Sequence, residues 1–125
     1  IGVGLVGSEM CIRDRLKRSL IRNNILVLLS DQDAKKRGIK ANFFGIDSST
    51  HSGAAILSKR NKSPIVYASI TCKNNIYEVE FVNIDTSGSI NDIVQQYTSE
   101  IEKTIINNPE QYFWFHKRWK SVKAY

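Results

Sequence analysis

The alternation of apolar and polar positions predicts a helix and then a strand in the first third of the chain. Apolar side chains recur at helical spacing among basic ones in residues 14–22, which predicts a short amphipathic helix that ends at Asn23. Residues 25–29 form an unbroken apolar run, which is typical of a buried strand in a parallel or mixed sheet. The polar residues 30–33 would then lie just beyond the carboxyl end of that strand.

The middle of the chain predicts a helix followed by a hairpin. Ser49 and Thr50 belong to a polar run that offers N-caps for a helix over residues 53–60. Residues 64–72 and 76–82 are predicted strands, and the Asn-containing turn between them tolerates positive φ. Apolar and acidic side chains alternate in the second strand, so we expect one of its faces to contact water.

The strongest helical signal follows this hairpin. Ser89 and Asp92 have the spacing of a capping box, and the apolar residues after them form one helical stripe that ends before Asn108. A further helical turn is predicted at residues 109–111, where it leads into an aromatic and basic run at residues 112–120.

The chain divides into a short leader and one longer unit. Residues 16–125 contain no internal repeat, low-complexity segment or linker, so we expect them to form one unit. Residues 1–15 differ from the rest, and the stretch VGSEMCIRDR within them resembles a translated sequencing-adapter sequence. We therefore expect a foreign or truncated leader. Cys11 and Cys72 lack the spacing of a zinc site, and a reducing compartment is the simpler expectation.

The formal net charge of +6 suits an anionic partner. Basic residues cluster at 13–18, 35–40, 59–62 and 117–123. Nucleic acid, anionic lipid and a phosphorylated ligand all fit, and a polybasic surface gains roughly 1 kcal/mol per Lys or Arg beside anionic lipid. Most such clusters are solvated faces, so the charge by itself does not select among these partners.

Asp31 and Asp33 are the first candidates for chemistry. Ligands of open α/β sheets bind outside the carboxyl ends of strands, where this pair is predicted to lie. Two carboxylates there suit metal binding, acid–base work or a hydrogen bond to a sugar hydroxyl, and turn capping is the simpler alternative. EF-hand spacing is absent, which argues against calcium. Ser49 and Thr50 are either plain N-caps or part of an anion site beside Lys35.

The histidines and the aromatic run carry weaker signals. His51 and His116 lack the partners of a nucleophilic triad, and no GxSxG elbow is present, so a structural role is the simpler interpretation. The run at residues 112–119 suits a packed core, stacking on single-stranded nucleic acid, or a membrane-interface belt. Trp114 and Arg118 are four positions apart, which would place them on one face of a helix.

Two distant motifs together resemble one known family. The first comprises LLSDQDA at residues 28–34, Arg37-Gly38, Phe43-Phe44-Gly45, Ser49-Thr50 and Gly53. The second is NPEQYFWFHKRWK at residues 108–120. In this order and at this spacing they resemble the lipid A biosynthesis acyltransferases of the HtrB type, which transfer lauroyl or myristoyl chains, over about residues 16–123.

The resemblance implies both a fold and an activity. The fold is the C-terminal part of a glycerolipid-acyltransferase-like αβα domain, with a mixed sheet flanked by helices. The activity is transfer of a fatty acyl chain from acyl carrier protein to a hydroxyacyl group of a lipid A precursor or related glycolipid, with neither cofactor nor metal. Its expected place is the membrane surface, on the cytoplasmic face of the bacterial inner membrane.

The resemblance also implies a catalytic pair that this chain does not contain. Family members use a His as general base and an acid five positions beyond it. The residue five positions beyond His51 is Ile56, and five beyond His116 is Ser121, so we expect an inactive fragment. By likeness, Asp31 lines the active site. Residues expected to contact substrate are Gln32, Asp33, Arg37, Ser49, Thr50, His116, Arg118 and Trp119.

Two alternative functions compete with this one. A basic, aromatic nucleic-acid-binding module rests on charge and interleaved rings alone, and we expect no nucleic acid partner. An inactive family member that acts as an interaction protein is the second. Burial of Trp114 and Trp119 would remove the stacking platform of the first alternative, and a catalytic pair in the upstream sequence would exclude the second.

Overall fold

The computed structural model describes residues 9–122, with side chains from residue 13 onward. Helices alternate with two antiparallel pairs of strands, which confirms the predicted α/β class. The helices and strands are α1 (Glu9–Ile21), β1 (Ile39–Phe43), β2 (Ile46–Thr50), α2 (Gly53–Asn61), β3 (Ile65–Lys73), β4 (Ile76–Ile84) and α3 (Ile90–Asn107). Short 3₁₀ turns lie at Lys35–Arg37 and Pro109–Gln111. Residues 1–8 of the predicted leader lie outside the described residues.

Helix α3 forms the centre of the core because one of its faces is mainly apolar. Ile93 and Val94 are fully buried, and Tyr97 and Ile105 are almost so. This face packs mainly against β1, with α2 and β3 also in contact. The capping box that begins at Ser89 is present as predicted, so the start of the helix could be predicted from local sequence.

Both hairpins close through turns in which two successive residues have positive φ. Phe44 and Gly45 join β1 to β2 with φ of 53° and 75°, and Asn74 and Asn75 join β3 to β4 with φ of 50° and 61°. Positive φ at both positions matches the right-handed twist of paired strands. Asn and Gly adopt it readily, whereas Phe44 is unusual, and its N–H donates to Glu102 Oε1 at 2.8 Å. The predicted β3–β4 hairpin is confirmed, turn included.

Three glutamine side chains bind backbone within a strand or directly after one, as a neighbouring strand would. In each case the side-chain carbonyl accepts from a backbone N–H, and the side-chain NH₂ donates to the carbonyl of the same residue. The six distances lie between 2.7 and 3.1 Å. This pairing satisfies backbone groups that would otherwise need water or another strand. The pairs are Gln95 with Asn42, Gln96 with Asp85, and Gln111 with Cys72.

The prediction of a buried strand at residues 25–29 is wrong. The run has no regular structure, and Ile25 and Leu29 are 77% and 87% exposed. Neither sheet in the described part of the chain includes this run, so its backbone is not paired in a ladder. An apolar run becomes a strand only where a partner supplies hydrogen bonds, and local sequence does not report that partner.

The polar residues ahead of α2 do not act as predicted. Ser52 occupies the N-cap position, without a side-chain hydrogen bond to the helix. Ser49 and Thr50 instead end β2, and both are buried. The N-cap interpretation of this pair is therefore wrong, because contacts inside the fold take up their hydroxyl groups.

The β3–β4 hairpin has one packed face and one open apolar face. Tyr67 on the packed face lies within hydrogen-bond distance of Thr104 on α3, with the two hydroxyl oxygens 2.9 Å apart. Tyr77, Val79 and Phe81 on the other face of β4 are all more than half exposed. The acidic side chains of β4 contact water as predicted, and its apolar side chains do so as well.

Replacing Ile93 tests the position of the core. We expect Ile93→Ala to lower the free energy of unfolding by about 2–5 kcal/mol, because it deletes fully buried carbon atoms and leaves a cavity. Ile106→Ala on the same helix is the matched control, since Ile106 is 64% exposed, and its effect is expected within about 0.5 kcal/mol. Urea unfolding followed by circular dichroism measures both. Equal losses would contradict this core.

Candidate functional site

An aromatic segment, residues 112–121, folds back onto the end of β1. Phe43 lies at the centre of this contact and is 1% exposed. Its ring centroid is 5.5 Å from that of Trp119 and 6.5 Å from that of Tyr112. Trp119 Nε1 also donates to the Phe43 carbonyl at 3.3 Å. The two motifs that are far apart in sequence therefore meet around one buried ring.

Arg118 carries a positive charge into this contact. Only 2% of the residue is exposed, and its guanidinium carbon lies 5.1 Å from the Phe43 ring centroid, a cation–π distance. Nη1 donates to the Ser49 carbonyl and Nη2 to Thr50 Oγ1, both at 2.7 Å. Burial lowers the pKa of Arg118, and the nearby Tyr112, followed by the Asp33 carboxylate, acts in the opposite direction.

The aromatic segment also holds the acidic loop, residues 31–33. The Asp33 N–H donates to His116 Nε2 at 2.9 Å, so the neutral imidazole carries its proton on Nδ1. Ser121 Oγ donates to Asp33 Oδ2 at 2.5 Å, and Tyr112 makes a longer bond of 3.4 Å to the Asp31 carbonyl. Three side chains of one segment thus fix the loop backbone and one of its carboxylates.

The β1–β2 hairpin holds the acidic loop from its other side. The Ser49 carbonyl accepts from the Ala34 N–H at 3.1 Å, and Ser49 Oγ donates to the Lys35 carbonyl at 2.5 Å. Gly38 makes this approach possible, since a Cβ atom there would lie 2.2 Å from Ser49 Oγ and 2.9 Å from the Thr50 nitrogen. The glycine of the Arg37-Gly38 motif is required for its size, because its φ is ordinary.

His51 lies beside these groups, immediately after β2. Desolvation lowers the pKa of His51, and the Arg118 charge lowers it further, while the Asp33 and Asp31 carboxylates act against both effects. Its backbone carbonyl accepts from the Tyr97 hydroxyl on α3. This histidine is therefore tied to the core through its backbone, while its imidazole is affected by the charges of the site.

The structure brings most of the predicted site residues into one cluster. The cluster contains Asp31, Asp33, Ser49, Thr50, His116, Arg118 and Trp119. Gln32 and Arg37 lie in the same stretch of chain with exposed side chains. Their contact with substrate stays a prediction.

Two details differ from the expectations. Arg118 packs on Phe43 rather than on Trp114, because the segment leaves helical geometry after Gln111. Trp119 is half-buried but Trp114 is 52% exposed, so the burial of both tryptophans that would remove a nucleic-acid stacking platform is not found.

Sequence reasoning missed four members of the cluster: Phe43, His51, Tyr112 and Ser121. Phe43 and Tyr112 lie inside the two family motifs, and this location was the only sequence signal that they belong to the site. Neither was assigned to the site, because nothing in the local sequence indicated that their rings would contact it. Ser121 enters the site through a long-range hydrogen bond to Asp33, and His51 through electrostatic interactions, and no local pattern reports either.

The cluster contains two carboxylates in a loop that hydrogen bonds hold in place. Asp31 and Asp33 are half-buried, so their oxygen atoms can accept hydrogen bonds from an incoming hydroxyl. No group of three or more His, Cys, Asp or Glu side chains in the described part of the chain is arranged to hold a metal ion. Within residues 9–122, no helix combines the length and apolar character needed to cross a membrane.

Fold and site define an α/β protein in which an aromatic, basic segment holds an acidic loop. Residues 5–121 match the model of the family described as bacterial lipid A biosynthesis acyltransferase. The chain therefore belongs to this family, which confirms the resemblance inferred from its two motifs. No curated protein sequence matches the chain.

Removing the buried guanidinium tests this cluster. We expect Arg118→Ala to lower the free energy of unfolding by about 2–4 kcal/mol, because two charge-assisted hydrogen bonds and the contact with Phe43 are lost. Lys120→Ala, two positions along the same segment, is the control, since that side chain is exposed. Urea unfolding compares the two variants. Indistinguishable midpoints would contradict a stabilising role for Arg118.

Proposed function

We propose that this chain is the part of an acyltransferase that supplies the acidic loop and its support. The enzyme moves a fatty acyl chain from acyl carrier protein to a hydroxyacyl group of a lipid A precursor or related glycolipid. Family membership supports the reaction class. The observation that carries the proposal is the attachment of the acidic loop to the aromatic segment, because it joins the two family motifs in one site.

The general base of this reaction lies outside these 125 residues. Deprotonation of an acceptor hydroxyl needs a free imidazole nitrogen, and a carboxylate oriented against the other nitrogen strengthens it. His116 Nε2 already accepts the Asp33 N–H, so that lone pair is not available to a substrate. Neither His116 nor His51 has an acid five positions beyond it. A His-x4-acid pair supplied by further sequence completes the site.

Asp31 lines the active site and faces the acceptor. Its backbone is anchored through Tyr112, which leaves the carboxylate free to accept a hydrogen bond from a sugar or acyl hydroxyl. Gln32 and Arg37 contact substrate from the exposed side of the same stretch. The other members of the cluster hold this surface in place through their hydrogen bonds; they are Ser49, Thr50, His116, Arg118 and Trp119.

Basic surface around the acidic loop suits the proposed partners. Lys35 and Lys36 form an exposed turn directly after the loop. Acyl carrier protein is acidic and lipid A precursors are phosphorylated, so complementary charge would steer both toward this side of the molecule. The place of action is the cytoplasmic face of the bacterial inner membrane, where these partners meet.

Replacing the Asp31 carboxylate tests its role. In the complete enzyme, we expect Asp31→Ala to lower acyl transfer at least about tenfold, the equivalent of about 1.4 kcal/mol of transition-state stabilisation. The fold should stay intact, because the hydrogen bond between Asp31 and Tyr112 uses the Asp31 backbone carbonyl. Asp47→Ala, which removes an exposed carboxylate from β2, is the control. Near-normal turnover in Asp31→Ala would exclude Asp31 from the active site.

The isolated chain tests where the base resides. We expect the 125-residue protein to transfer no acyl group from acyl carrier protein to a lipid A precursor, because it lacks the His-x4-acid pair. Transfer of a radiolabelled acyl chain measures this, with a complete family enzyme as positive control. Measurable transfer that disappears in His51→Gln or His116→Gln would place the base within this chain and overturn the proposal.

A further inference from the structure

The aromatic segment has an outward side made of large exposed rings. Phe113, Trp114 and Phe115 are 62%, 52% and 90% exposed, and the two phenylalanine ring centroids lie 5.8 Å apart. Single exposed apolar residues are common on proteins, but three in succession form a patch of the kind that marks an interaction surface. We call these three residues the aromatic patch.

The aromatic patch is anchored by contacts on the inward side of the same segment. Trp114 Nε1 donates to the Pro109 carbonyl at 2.7 Å, and its ring packs edge-on against Tyr112 at 4.9 Å between centroids. His116 and Arg118 fasten the chain immediately after the patch. The Trp114 ring and the backbone that follows the patch are thus held in place, so a partner that covers the patch has fewer groups to order.

Cationic side chains flank the aromatic patch. Lys117 and Lys120 follow it with exposed side chains. The Ser121–Asp33 hydrogen bond brings the basic turn at Lys35 to the far end of the same segment. Apolar rings bordered by positive charge match the boundary of an anionic bilayer, where rings enter the acyl layer and cations meet the headgroups.

We infer that the aromatic patch inserts into the interface of an anionic lipid bilayer and holds the acidic loop at the membrane surface. This inference deepens the proposed function and rests on it for the location of the substrate. Trp114 has its N–H satisfied inside the protein, so it can enter an apolar layer without an unpaired donor. The Phe113 and Phe115 rings are tilted by 51°, an arrangement that cannot stack on two successive parallel bases.

Vesicle binding tests the inference with the 125-residue chain. The probe is phosphatidylglycerol–phosphatidylethanolamine vesicles, with phosphatidylcholine vesicles as the neutral comparison. We expect the double variant Phe113→Ser/Phe115→Ser to bind the anionic vesicles at least about tenfold more weakly. Each ring that leaves water can improve the dissociation constant by up to about tenfold. Phe81→Ser is the matched control, because Phe81 is 70% exposed on β4, and it should bind within about twofold of the parent.

Two further measurements test the roles of positive charge and of Trp114 in vesicle binding. Lys120→Glu should weaken binding to anionic vesicles about fivefold or more and leave neutral vesicles unaffected. Trp114 fluorescence should shift to shorter wavelength on binding, and Trp114→Phe should lose most of the shift while keeping the affinity. Unfolding midpoints of all variants check that loss of binding is not loss of fold.

Several results would overturn the inference. They are unchanged vesicle affinity in the double variant, an equal loss in Phe81→Ser, or tighter binding of a single-stranded oligonucleotide that the double variant abolishes. The vesicle assay involves no acyl transfer, so its failure would leave the proposed reaction standing. Conversely, normal turnover in Asp31→Ala would count against the proposed site and not against membrane binding by the aromatic patch.

Discussion

The burial of the Arg118 guanidinium is the constraint on which the rest of the site depends. A cation removed from water must find hydrogen-bond acceptors and a polarisable surface, or its desolvation is not offset. Here the acceptors are the Ser49 carbonyl and the Thr50 hydroxyl, and the surface is the Phe43 ring. Both ends of the β1–β2 hairpin are therefore fixed relative to the aromatic segment. The acidic loop is held between the hairpin and the segment.

This arrangement explains why two motifs so far apart in sequence belong to one family signature. The aromatic segment contributes His116, Ser121 and Tyr112 to the acidic loop, and the loop returns a backbone N–H, a carboxylate and a carbonyl. Neither motif can keep its geometry alone, because each satisfies the polar groups of the other. In the proposed reaction, the resulting surface presents Asp31 to an acceptor hydroxyl while the aromatic patch contacts the membrane.

Elements with local signals could be predicted from the sequence, and those with distant partners could not. Helix α3 and the β3–β4 hairpin follow from a capping box, an apolar stripe and an Asn-Asn turn, all of which act within a few residues. The run at residues 25–29 has the composition of a buried strand, but composition does not supply a neighbouring strand.

The same distinction applies to the site. Asp31, His116 and Arg118 were expected there through family resemblance, since charge and spacing alone left several functions open. Their mutual geometry depends on Phe43 and on the closeness permitted by Gly38, which are tertiary contacts. The local sequence around Ser49 predicts a helix cap. In the folded hairpin its hydroxyl instead donates to the Lys35 carbonyl.

Hydrogen exchange at the Asp33 amide tests the central claim most directly, because that N–H is the donor in the bond to His116. Nuclear magnetic resonance should find the Asp33 amide protected in the parent chain. In His116→Phe the protection should be lost at Asp33, while amides inside α3, such as that of Val94, keep theirs. An Asp33 amide that exchanges freely in the parent, or stays equally protected in His116→Phe, would contradict the account of a loop held by the aromatic segment.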